Sequence, residues 1–312
     1  MADMKATREA YGEALVELGK INEDVVVFDA DLSGSTKTKM FQKAYPDRFF
    51  NAGIAEMNMT GMAAGMAACG KIPFISTFAV FGTGRNYDVL RNAVCYPALN
   101  VKVALTHAGL MVGEDGATHQ ALEDISLAAG LPNMKVFVPA DAVEAKKMIF
   151  KAAEIDGPVY IRLGRSKQPV IFDADYEFEI GKANVLKDGS DVTLAACGTM
   201  VSAALEAAEL LKQDGIDAAV INYGSVKPID TKTTVEYAKK TGAFVCCEEH
   251  SIHGGLGSII SQELSLSYPV PVEYVAVFDR FGQSGPAEEL MKDYHLTPEE
   301  IATKARKVIS RK

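Results

Sequence analysis

From Val25 to Val277 the chain alternates short apolar runs with longer amphipathic segments, and this pattern leaves few folds open. It is the βαβα signature of a parallel sheet covered by helices on both faces. Strands are expected at Val25–Asp29, Ile72–Thr77, Val101–Thr106, Lys135–Val138 and Val159–Leu163. Helices fill the gaps at Ala55–Cys69, Asn86–Cys95, Ala121–Ala129 and Ala142–Ala153, with Asp141 capping the last. The pattern weakens between Arg165 and Asp191, where turn residues and acidic clusters predict a linker. A second series follows: strands Val192–Ala196, Ala218–Asn222, Ala243–Glu248 and Val272–Val277, and helices Val201–Gln213 and Leu256–Leu266. Thr297, Pro298 and Glu300 form a capping box for a final helix. The expectation is an α/β protein of two domains, each a mostly parallel sheet flanked by helices, with boundaries 1–170, linker 171–190 and 191–312. A chain of 312 residues has length for two such cores.

A formal net charge of −9, with no basic run, speaks against nucleic acid and anionic membranes as partners. No uninterrupted apolar stretch approaches the ~18 residues of a membrane span, and Met1–Leu15 reads as an amphipathic helix, so a cytoplasmic location is expected. Cys69, Cys95, Cys197, Cys246 and Cys247 show neither CxxC nor zinc-ligand spacing and read as reduced, packed thiols.

Glu56 stands one residue into a helix otherwise built of small and apolar residues, with no basic neighbour in sequence. An acid in the first turn is favoured by the helix dipole by ~0.3–1 kcal/mol, so capping alone could account for it. A partly desolvated carboxylate there could also share a proton with a heterocyclic nitrogen. Gly61 and Gly65 suggest something packed closely on this helix. After the strand ending at Thr106, the loop through Gln120 gathers His107, His119, Asp115 and several glycines. Such loops bind ligands in open α/β sheets. Metal ligation, proton transfer with hydroxyl binding, and plain loop solvation are all compatible with these residues, although the spacing fits no familiar ligand set. Phe78 and Phe81, at i and i+3, suit either core or a platform. Arg8, Arg85, Arg162 and Arg165 are ordinary ion-pair candidates, and Arg165 after a strand could grip a phosphate. The turn Ala30–Ser35, which includes Asp31, could cradle an anion. Neither His253–Gly257 nor Phe81–Gly84 completes a dinucleotide fingerprint, and Gly282–Gly285 is no nucleophile elbow.

Together ADLSGS, GIAEMNMTGMAAG, STFAVF, GEDGATHQALED, GPVYIRLGR and NYGSVKPID follow the order and rough spacing of the second half of the transketolase family, which this chain resembles over nearly its whole length. The resemblance implies a thiamine-diphosphate pyrimidine-binding fold followed by a transketolase C-terminal domain. It implies that Glu56 hydrogen-bonds the aminopyrimidine and shifts its tautomer, that Phe78 and Phe81 pack on that ring, and that Asp31 lies near the cofactor. His107 and His119 would handle donor hydroxyls and proton transfer, Asp115 a sugar hydroxyl, and Arg8, Ser35 and Arg165 the sugar phosphate. Gly84 stands where a third aromatic is usual, and the loop reads His-Ala-Gly rather than His-Asp-Ser.

These enzymes hold magnesium and the diphosphate through a GDG motif and a later asparagine, hard oxygen ligands that suit the ion. This chain has no GDG. The resemblance therefore implies a separate N-terminal partner subunit carrying that motif and the Mg²⁺, an α₂β₂ heterotetramer, and transfer of a two-carbon ketol unit between sugar phosphates. A homodimer of this chain is the other assembly open to it. The rival readings are a 1-deoxyxylulose-5-phosphate synthase-like subunit, a 2-oxo acid dehydrogenase β-type subunit, and a non-catalytic scaffold. The last fits poorly with an intact Glu56, His107 and His119.

Overall fold

A computed structural model of the protein describes residues 3–312. The central strands Val25–Asp29, Val192–Ala196 and Ala218–Asn222 are buried at every position, which is why each reads as a continuous apolar run rather than an alternating one. They organise two sheets. The first runs in the order Ser225–Lys227, Lys135–Phe137, Val159–Arg162, Lys102–Leu105, Ile72–Ser76, Val25–Asp29, Phe49–Asn51, and only its first strand is antiparallel. The second runs Val272–Val277, Phe244–Ser251, Val192–Ala196, Ala218–Asn222, Asn184–Lys187, antiparallel only at its last strand.

Helices cover both faces. Thr7–Ile21 and Ala142–Glu154 bury Tyr11, Leu15, Leu18, Met148 and Ile149 on one side of the first sheet. On the other side Glu56–Ala68 contributes Met59, Ala63 and Ala67 to a core that continues through Ile125 and Val138 into Ile221 and Phe244 of the second domain. The two domains thus share one apolar interior. Ser225–Lys227 strengthens the join, since it leaves the second domain to pair with the edge strand of the first.

Asp141 caps its helix by accepting from the Glu144 N–H, and Thr297 does the same for Glu300. Three helix expectations change. Met4–Ala6 is not helical but a short strand drawn into antiparallel pairing with Lys167–Pro169, and the beginning of the expected N-terminal helix lies outside the described residues. The helix expected from Ala121 begins at Asp124, because the Ala121 carbonyl already accepts the Gly109 N–H at 2.9 Å in a bridge to the neighbouring loop. The helix expected over Asn86–Cys95 is an α-turn, Tyr87–Val89, followed by the wider π-turns of Leu90–Cys95. Two short strands lie where the pattern weakens, Lys167–Pro169 at the end of the first domain and Asn184–Lys187 inside the expected linker. No helix among the described residues is long and apolar enough to cross a membrane. Four of the cysteines are buried, but Cys69 is exposed, contrary to its reading as a packed thiol.

Candidate active site

The parallel strands of the first sheet all end on one edge, and that edge collects Asp29, Phe78, His107 and Arg162. Phe78 and Thr106 extend the ladder by one bridge, which sets the Phe78 and His107 rings face to face at 3.8 Å. Beyond Phe78 the chain turns through a π-helical segment, Val80–Arg85, a geometry that recurs at functional sites. It packs tightly, since a Cβ on Gly82 would meet the Leu105 side chain at 2.5 Å. The turn sets Phe81 nearly parallel to Phe78, with centroids 6.0 Å apart, and edge-on to His119 at 5.3 Å.

Glu56 is the first residue of its helix and is buried to 2% exposure. Both its oxygens accept from Arg85 Nη1 at 3.1 Å, and the same guanidinium lies 4.8 Å over the Phe81 ring. The basic partner absent from the neighbouring sequence is thus supplied 29 residues later. Behind the carboxylate, Asn86 donates to the Thr60 hydroxyl while its own Oδ1 is buried without a partner. A Cβ on Gly84 would meet nothing, so the missing aromatic leaves open space. Gly61 and Gly65 do not receive a neighbour from within this chain either: both are exposed, on a face that also presents Ile54, Met57 and Met62.

The anion-binding candidates meet on the other side of Phe78. Arg8 Nε donates to the Arg165 carbonyl at 3.1 Å, and Nη1 donates to the Ser35 carbonyl at 2.9 Å and to His107 Nε2 at 3.3 Å. Ser35 therefore contributes its carbonyl to Arg8. Arg165 Nη1 donates to the Val112 carbonyl at 2.7 Å and to Glu114 at 3.1 Å, tying the guanidinium to the glycine-rich loop. Asp31 has φ +64° and is exposed, accepting from Asn51 Nδ2 at 2.9 Å. Asp115 is exposed at the end of the turn Leu110–Asp115, and His119, half-buried, pairs through Nδ1 with the Thr118 hydroxyl at 2.9 Å. Among the described residues no group of three His, Cys, Asp or Glu side chains is placed to hold a metal.

A guanidinium only donates, so His107 Nε2 is an acceptor and its proton sits on Nδ1, donated to the Thr106 hydroxyl at 2.8 Å. Burial first, and then the charges of Arg8, Arg165, His119 and Lys37, push the His107 pKa down to about 3. The imidazole is neutral across the working range. The sign follows: the unfolded chain takes up a proton below about pH 6.5 that the folded chain refuses, so this residue erodes stability as pH falls from there toward 3. A carbon-bound imidazole proton resonance that stays flat from about pH 5 to 9 is the expected NMR signature, and a midpoint near 6.5 would overturn it.

Motif reading also passed over Asp29. Its buried carboxylate accepts from the Leu32 N–H at 2.6 Å and from the Thr36 and Thr38 hydroxyls at 2.7 and 2.8 Å, which folds the 30–38 turn toward Arg8. Burial outweighs those bonds and pushes its pKa up to about 6.

Residues 3–170 match the family described as transketolase, pyrimidine binding domain, and residues 181–301 the transketolase C-terminal domain. The chain belongs to the transketolase family. It is 49% identical over 302 residues to a protein of Methanocaldococcus jannaschii, across 96% of this chain and 94% of the relative, whose assignment as a transketolase C-terminal section is itself provisional. It is 40% identical to the 6-deoxy-6-sulfo-D-fructose transketolase subunit of Clostridium sp., across 98% of this chain and 95% of that one. A solved structure described as a split gene transketolase, inactive β4 tetramer, superposes with a TM-score of 0.90 at 54% identity, covering 98% of both chains. This transketolase chain is thus similar from end to end to C-terminal subunits of split enzymes, and its fold is the one used with thiamine diphosphate.

Proposed function

We propose that the chain is the C-terminal subunit of a split transketolase that moves a two-carbon ketol unit between anionic sugars. One observation carries the reading: His107 stacks on Phe78 while its Nε2 meets Arg8, so a surface suited to a heterocycle and a surface suited to an anion share one residue.

The residues fit the pyrimidine end of thiamine diphosphate. Glu56 offers a buried carboxylate, Phe78 and Phe81 offer flat apolar faces, and Gly84 leaves room beside them. When bound, the cofactor supplies the carbanion chemistry that amino-acid side chains lack. Glu56 would hold a proton shared with the pyrimidine ring nitrogen, and Arg85 competes for the same carboxylate and the same Phe81 face. The His107 Nε2 lone pair, which accepts from Arg8, would be freed to orient a sugar hydroxyl when Arg8 turns to the charged end of the sugar, while His119, edge-on to both rings, would serve proton transfer. Arg8, assisted by Arg165 and the 30–35 turn, would take the charged end of the sugar, with Asp115 available to a hydroxyl and Asp31 near the cofactor. The Clostridium relative is named for a sulfo-sugar, and a sulfonate presents the same kind of anionic terminus as a phosphate.

The Mg²⁺ and diphosphate would be held by an N-terminal subunit in an α₂β₂ assembly. Two observations favour it. The sequence has no GDG motif, and the helix that begins at Glu56 leaves an apolar face with Ile54 and Met57 exposed. The 54%-identical chain, described as an inactive β4 tetramer, supports inactivity of this subunit by itself.

Reconstitution with an N-terminal subunit, Mg²⁺ and thiamine diphosphate tests the reading through ketol transfer. The complex should be active and this chain alone inactive. Arg8→Ala should raise KM for a phosphorylated ketose by about 10–100-fold, the worth of a charge-assisted bond, and leave a non-phosphorylated ketose nearly unaffected. Activity without the partner, or an equal loss on both ketoses, would contradict it.

A further inference from the structure

The glycine-rich loop that carries His107 and His119 leans on the second domain. Strand Phe244–Ser251 of that domain brings Glu249, 5% exposed, against the loop. Its Oε1 accepts from the Met111 N–H at 2.6 Å. The backbone has been cut to fit. Gly109 has φ +83°, and a Cβ there would fall 2.3–2.5 Å from the Glu249 carboxyl atoms. Farther along, Gln120 Nε2 donates to the carbonyls of Leu110 and Gly113 within the loop and to that of Gln283, and a Cβ on Gly116 would strike the Ser284 hydroxyl at 2.3 Å. The far end is fixed through Asp124, which accepts from Arg162 Nε at 2.8 Å, and Arg162 in turn reaches the Glu249 carbonyl at 2.9 Å.

We propose that Glu249 is a positioning residue for sugar binding: from the second domain it clamps the Met111 amide against the close fit at Gly109 and so fixes His107, two residues before that glycine. This rests on the reading of His107 as a sugar-binding residue. Glu249 is buried against the loop backbone and Arg162. Its action is transmitted through the loop backbone, and it gives the second domain a share in the site that its distance from Glu56 would not suggest. A carboxylate suits the task, because an ionised acceptor holds amide donors about twice as strongly as a neutral one. Burial acts against the charge and raises its pKa to about 7, with Arg162 and the Met111 amide pulling the other way.

Glu249→Gln and Glu249→Ala are compared with wild type by two measurements. In hydrogen–deuterium exchange of the full chain, both variants should speed exchange of residues 107–116 by about tenfold or more and leave 192–222 unchanged. Glutamine should have the smaller effect, because its oxygen can still accept from Met111. In the reconstituted complex, KM for a phosphorylated ketose should rise about tenfold, since sub-ångström misplacement is enough for that, while the dissociation constant of thiamine diphosphate changes less than about twofold. Unchanged exchange at 107–116, acceleration spread equally over both domains, or parallel changes in KM and cofactor affinity would each overturn the proposal. Should Glu249→Ala fail to fold, the isosteric glutamine variant carries both measurements. Should the wild-type complex show no ketol transfer, the transfer reading falls, and the exchange comparison still decides the clamp.

Discussion

Replacing Glu56 by glutamine should reduce ketol transfer by the reconstituted enzyme at least 100-fold without unfolding the chain. The magnitude is the lower end of what a positioned proton-sharing group contributes, ~10²–10⁴-fold. The fold should survive because the residue is a buried charge whose removal relieves desolvation, and because its partner Arg85 is 51% exposed and can turn to solvent. The reciprocal substitution behaves differently. Arg85→Ala leaves the Glu56 carboxylate buried without its bonds, at a cost of about 1–3 kcal/mol, and takes a competitor off Phe81. That variant should therefore lose stability and keep most of its activity, whereas Glu56→Gln should keep its stability and lose activity. Steady-state rates and urea midpoints on the same preparations separate the two, and a Glu56→Gln enzyme within about fivefold of wild type would remove Glu56 from the proton-sharing role.

The Glu56–Arg85 pair also marks where sequence reasoning stops. Strands such as Val25–Asp29, Val192–Ala196, Ala218–Asn222 and Val272–Val277 were legible because burial on both faces writes an uninterrupted apolar run between polar turns. Caps at Asp141 and Thr297 were legible because donor and acceptor lie three residues apart. Arg85 is 29 residues from Glu56, and Glu249 is 138 from Met111. Pairs at such separations leave no local pattern, so a lone arginine or glutamate keeps its bland reading until the topology brings it to the sheet edge. Gly61 and Gly65 show a different limit. Their spacing signals close packing, yet within this chain they face outward, because what a small residue makes room for need not be part of the same polypeptide. The helix start at Ala121 fails for a third reason: a single backbone carbonyl committed to Gly109 outweighs the propensity of the run that follows.

Arg162→Met should destabilise the chain by about 3–5 kcal/mol, a large part of the ~5–15 kcal/mol by which domains are stable. The guanidinium is 7% exposed and serves two acids from the two domains, Asp124 at 2.8 Å and Glu249 at 3.9 Å, while Tyr160 donates to the same Asp124 oxygen at 2.5 Å. Methionine fills much of the volume but leaves two buried carboxylates facing each other with no cation between them. One of them must then hold a proton to remain buried, so its folded pKa lies above its unfolded value. A raised carboxyl pKa means that the folded state binds more protons, and stability then falls as pH rises from about 4 through the raised value. The deficit relative to wild type should accordingly be smaller at about pH 5.5 than at about pH 8, which a packing defect would not produce. Substituting Asp124→Asn in the Arg162→Met background should restore part of the loss, because it removes one of the stranded charges. Urea denaturation of wild type, Arg162→Met and the double variant at the two pH values measures both effects. A deficit below about 1 kcal/mol, or one independent of pH, would show that the acids are solvated or already protonated in the wild type and that this charge cluster does not help to join the domains.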